Sequence, residues 1–65
     1  MVREEIHPGQ YLIWEREERG GYGYISRIPV SVIRVGPARI LVEARLTLGG
    51  MRRVWVKPEK LRNTL

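Results

Sequence analysis

The chain has 65 residues, no cysteine, twelve basic against seven acidic side chains and a formal net charge of +5 at pH 7. A chain this short makes one domain that buries only about 60% of the surface its unfolded form exposes. The missing cysteines exclude a disulfide framework and a thiolate site. MVREEI lacks the apolar run of a signal peptide, and no apolar stretch nears the ~20 residues that span a bilayer. The expectation is a cytoplasmic protein in which 1–65 form a single domain: a lead-in over 1–8, a folded body over 9–62 and a tail over 63–65.

Met1 to His7 is polar apart from Val2 and Ile6 and reads as a frayed lead-in, closed by the Pro8-Gly9 turn signal. Gln10 to Trp14 (QYLIW) is rich in aromatic and β-branched residues and predicts the first strand. Both of its faces are apolar, as for a strand that is central or covered. Glu15 to Arg27 (EREERGGYGYISR) reads as a long charged, glycine-rich loop, in which Gly20, Gly21 and Gly23 would end any helix. Ile28 to Val35 predicts the second strand. Its apolar positions change phase at Val32-Ile33, the signature of a bulge or a sharp bend. Pro29 suits an edge or a strand entry. Gly36-Pro37-Ala38 then makes a turn.

Arg39 to Val56 carries the clearest pattern. Ile40, Val42, Ala44, Leu46 and Leu48 alternate with Arg39, Glu43, Arg45 and Thr47, a period of two that marks a half-buried strand. After Gly49-Gly50, Val54 and Val56 alternate with Arg53, Trp55 and Lys57, which completes a β-hairpin. A two-residue turn would point both valines away from Val42 and Ala44. A three-residue loop, Leu48 to Gly50, pairs Ala44 with Val54 and Val42 with Val56 and sends both inward, with Gly50 in the left-handed conformation. That register places Trp55 opposite Glu43, Arg53 opposite Arg45 and Lys57 opposite Leu41. Pro58 ends the ladder, and PEKL suits a single 3-10 turn that buries Leu61.

Charge is unevenly spread. Residues 1–18 hold two arginines against five glutamates, a net of −3, whereas 19–65 hold ten basic residues against Glu43 and Glu59, a net of +8. Ten of the twelve basic residues are arginine, the side chain that grips phosphate or carboxylate with two parallel hydrogen bonds. A basic body calls for an anionic partner. Catalytic chemistry has little to draw on. His7 is the one histidine, aspartate is absent, and Ser26 and Ser31 have no neighbouring base. The glutamates at 15, 17 and 18 lack a companion histidine or cysteine for a transition metal. GGYG lacks the lysine and the strand-to-helix setting of a phosphate loop. The reading is a binding protein, not an enzyme, with no cofactor and no metal.

One strand, a long loop, a three-stranded meander and a short turn ending in leucine resemble an SH3-like barrel, with GQYLIW opening it and VWVKPEKLR closing it. The pairing of RGGYGY with VKPEKLR resembles small bacterial proteins of that architecture that carry no assigned activity. The likeness implies an all-β, five-stranded SH3-like barrel with a long first loop and a short 3-10 turn near the C-terminus. SH3-like barrels include modules that bind RNA, DNA, proline-rich peptides or other domains, and the KOW members share the basic charge. A five-stranded OB-type barrel is the alternative fold.

Two surfaces follow. Arg39, Arg45, Arg53, Trp55 and Lys57 share the outer face of the hairpin, where a tryptophan can stack a base while the cations hold phosphates of RNA or DNA. Alternatively Trp14, Glu17, Glu18, Tyr22 and Tyr24 form an aromatic and acidic groove for an arginine-bearing, proline-rich protein partner. Both readings leave a monomer or a weak homodimer and no membrane partner.

Overall fold

The computed structural model describes residues 1–17, 25–45 and 49–64. Five strands form one antiparallel sheet: β1 (Tyr11–Glu17), β2 (Ile25–Val35), β3 (Ile40–Arg45), β4 (Met51–Val56) and β5 (Leu61–Asn63). Their order across the sheet is β4-β3-β2-β1-β5. Single 3-10 turns occur at Arg3–Glu5 and Pro58–Lys60. The described chain is therefore all-β, as the two-residue periodicity predicts. β4 and β5 do not pair with each other among the described residues, so the ladder is one open sheet with those strands as its edges. No described helix is long and apolar enough to cross a membrane.

Both early strands are longer than composition suggests. β1 runs through Glu17, and β2 begins at Ile25, so the two form one continuous antiparallel pair from Tyr11↔Ser31 to Glu17↔Ile25. The charged run read as a loop is strand because Glu15 and Glu17 fall on the outward positions, where a carboxylate stays in water and loses nothing by strand formation. The rest of the expected loop, 18–24 with Glu18, Tyr22 and Tyr24, lies outside the described residues.

In β2 the register shifts between Val32 and Arg34, so Ile33 is the extra residue of the anticipated bulge. The shift returns Val35 to the core side, while Ile33 itself, placed inward by the phase pattern, stands 36% exposed. A bulge residue has no partner to hold it in the pleat. Pro29 sits in the interior of β2 and not at its entry, yet among the described residues the pairing of β2 with β3 starts at Val30. Pro29 thus has a described partner on the β1 side, Ile13, and none among the described residues of β3.

Val30, Val32, Ile40, Val42, Ala44 and Val56 line the inner face of the sheet, and Leu12 joins them from β1. The 3-10 turn after β4 carries Leu61 into the same core, where it is fully buried. The N-terminal segment is not frayed. Ile6 is 2% exposed within the core cluster, the Met1 amine donates to the carbonyls of Pro58 and Leu61, and Arg3 Nε donates to Gly36 O at 2.7 Å. One isoleucine in an otherwise polar stretch is enough, because fully burying it is worth about 1.5–3 kcal/mol.

Candidate binding face

Alternation puts one set of side chains on the core and the other on the outer face of the same strands. Successive pairings then build rows across that outer face. Arg53 stands beside Glu43, Glu43 beside Ser31 and Ser31 beside Tyr11, a line that crosses four strands. On one side of it Trp55 stands beside Leu41 and Leu41 beside Arg34. On the other side Met51 is opposite Arg45, and Pro29 is opposite Ile13.

The hairpin keeps the expected faces but not the expected register. β3 and β4 pair as Leu41↔Trp55, Val42↔Val54 and Glu43↔Arg53. The register is displaced by two residues from the expected one, Arg45 pairing with Met51, and Gly49, not Gly50, takes the positive φ of +83°, while Leu46, Thr47 and Leu48 lie outside the described residues. A displacement of two residues preserves parity, so Val56 still enters the core and Val54 packs against it. The partners change, however. Arg53 does not face Arg45: it meets Glu43, with Nε 3.3 Å from Oε2. Trp55 faces Leu41 and not Glu43, and Lys57 falls past the last pair, Ile40↔Val56, toward Arg39. An opposite-charge cross-strand pair replaces a repulsive one, and each such term is a fraction of a kcal/mol to about 1.

Trp55 is 48% exposed and leans on the turn between β2 and β3. That turn is closed by Gly36 N–H to Arg39 O at 2.9 Å, and Gly36 lies directly beneath the indole. Arg3 reaches the same turn through its hydrogen bond to Gly36 O. The N-terminal segment thus braces the platform without covering it. Arg39 and Lys57 are exposed at its end of the hairpin, and Arg45 is exposed farther along the same face, opposite Met51. Arg34 joins them from β2, unremarked by composition but placed on this face by the bulge. Arg3 gave no sequence signal, since nothing in the lead-in ties it to a turn 33 residues away.

Apart from Arg53 with Glu43, the described ion pairs lie elsewhere. Glu15 holds Arg62 at 3.0 Å and Arg27 at 3.7 Å, and Glu17 holds Lys60 at 2.9 Å, all around β1 and β5. The Lys60 hydrogen bond, and after it the Lys60 charge, keeps the Glu17 carboxyl below the usual carboxylate range, and the same contact raises Lys60. Among the described residues no carboxylate pairs with Arg34, Arg39, Arg45 or Lys57. Among the described residues charge is therefore paired around β1, whereas on the hairpin face Arg53 alone has a carboxylate. Glu15 and Glu17 do not fold over the hairpin.

The second surface is not assembled by the described residues. Trp14 packs against the core beside Leu61, whereas Glu17 points outward on the opposite face of β1. Arg16 stacks its guanidinium over Trp14, 5.8 Å from the ring centroid. A feature that sequence reasoning missed is a groove of about 240 Å³ on the outer face, walled by Tyr11 and Met51. Its signal was Tyr11 itself, an aromatic on an outward strand position. No protein-family model matches this chain, and no curated protein or solved structure matches it.

Proposed function

We propose that this protein is a nucleic-acid-binding accessory module, its sheet curling into a small SH3-like barrel whose outer face carries the ligand. The observation behind this reading is a half-exposed Trp55 on a face that also carries Arg34, Arg39, Arg45 and Lys57, none of which has a described carboxylate partner. Indole and cations divide the work in the usual way: the ring stacks a base, and the cations replace condensed counterions along the phosphates. Arg53 contributes less, because Glu43 already engages it. An element order of strand, loop, meander, 3-10 turn and short final strand against β1 supports the SH3-like reading.

Peptide binding by an aromatic groove has weaker support, since Trp14 is turned inward and Glu17 is held by Lys60. The test is fluorescence anisotropy with labelled single- and double-stranded oligonucleotides in low salt. Micromolar binding is expected, with log K falling against log salt at a slope of about −3 for four neutralised phosphates on a single strand. Binding that is absent at tens of micromolar, or indifferent to salt, removes the proposal.

A further inference from the structure

The groove on the outer face is made where two rows of the sheet meet. Tyr11 and Met51 are the large exposed side chains of its walls, Pro29 and Ser31 also line it, and Glu43 and Arg45 bring its charged groups. Neither wall serves the core: Tyr11 is 77% exposed and Met51 55%.

Size, apolar walls and polar atoms select one kind of occupant. The volume of about 240 Å³ is below the ~300 Å³ at which pockets for drug-sized ligands begin, so the groove accepts a single ring system. An exposed phenol ring and a thioether are suited to the faces of a planar, polarisable ring. Glu43 engages Arg53 through Oε2, while its Oε1 receives no hydrogen bond among the described residues. A carboxylate only accepts, so the edge of the ring turned to it must donate. Arg45, also in the lining, has no described carboxylate and favours an anion attached to that ring. A cationic peptide side chain would satisfy Glu43 but be repelled by Arg45 and Arg53. A nucleobase with an exocyclic amino group, carried on a phosphate backbone, satisfies every group at once.

We infer that this groove holds one amino-bearing base of a single-stranded nucleic acid, its ring against Tyr11, its exocyclic amino group donating to Glu43 and its phosphate on Arg45. The inference rests on the nucleic-acid reading above and adds base selection to it. In a duplex the base faces are stacked and the amino edge is paired, so an unpaired strand is the ligand.

Cytosine and thymine have the same ring and differ at position 4, amino in one and carbonyl in the other. The experiment compares labelled deoxycytidine and thymidine oligomers of about 12 nucleotides, a length within the range of small binding modules. The cytidine oligomer should bind about tenfold more tightly, since a carboxylate accepts from cytosine N4 and repels thymine O4. Glu43→Gln, whose amide both donates and accepts, should bring the two within about twofold. Tyr11→Ala should weaken both by roughly fivefold or more, with an unchanged circular dichroism spectrum. Equal binding of the two oligomers by the unaltered protein, with affinity still falling in salt, overturns the groove and leaves the broader reading standing. A cytidine preference that survives Glu43→Gln overturns it as well. Failure of both oligomers to bind overturns the groove and the broader reading together.

Discussion

Gly36 lies flat against Trp55: a Cβ on Gly36 would stand 3.0 Å from Cζ3 of the indole and 2.8 Å from the Arg39 carbonyl oxygen. The second distance matters more, because that oxygen accepts the hydrogen bond that closes the turn. A methyl group there must move backbone as well as ring. Gly36→Ala is therefore expected to cost about 1–3 kcal/mol, the usual range for overpacking a tight site. Urea unfolding measures the loss. An unchanged midpoint would mean that the turn and the indole are not in contact in solution.

The N-terminal segment offers a sharper contrast. A frayed lead-in tolerates substitution to within about 0.5 kcal/mol, as exposed positions do. Ile6, 2% exposed among the core residues, should instead lose about 2–4 kcal/mol on truncation to alanine. In a domain of this size that is a large share of the total stability. Thermal unfolding of Ile6→Ala beside Val2→Ala separates the two cases, because Val2 is 58% exposed and should be nearly silent.

Parity was legible in the sequence and register was not. Alternation along Ile40 to Ala44 and along Val54 to Val56 fixes which side chains face the core, and those assignments hold. The partner of each residue depends on where the turn sits, and a displacement of two residues near Gly49-Gly50 leaves parity unchanged. Hence Arg53 met Glu43 instead of Arg45. The bulge at Ile33 was readable because it inverts the apolar phase. The extension of β1 through Glu17 was not, since a charged outward strand position and a charged loop have the same composition. Arg3 and the Tyr11 groove arise from contacts between distant segments, which no local pattern encodes.

Glu17 and Lys60 predict a defined pH response. The carboxyl is held low by the Lys60 hydrogen bond and charge, and the ammonium is held high by Glu17. A depressed carboxyl stabilises the fold above its unfolded pKa and loses that contribution as pH falls through its folded value. A raised ammonium stabilises below its unfolded pKa and loses the contribution as pH rises through its folded value. The difference in Tm between the protein and Glu17→Gln should therefore be constant from about pH 6 to 9 and shrink below about pH 4. It should be small and diminish further in high salt, because both groups are at the surface. A Tm difference that grows on acidification would contradict the pairing.

Trp55 and the cations around it should fail in different ways. The indole contributes stacking, which carries no counterion term, so Trp55→Ala should lower affinity for a single strand by about tenfold and leave the salt slope unchanged. Arg39→Gln and Lys57→Gln each remove one phosphate contact, and each should reduce the slope by about 0.7 while weakening binding to all sequences alike. Arg53→Gln is the informative control. Its guanidinium already faces Glu43 at 3.3 Å, so its removal subtracts a cation and frees a carboxylate on the same face. The net loss should be at least as large as for Arg39→Gln, even though Arg53 makes fewer contacts with phosphate. Anisotropy titrations at four salt concentrations give slope and intercept for each variant. A tryptophan variant that flattens the slope, or lysine and arginine variants that leave it intact, would show that the ligand does not lie across this face.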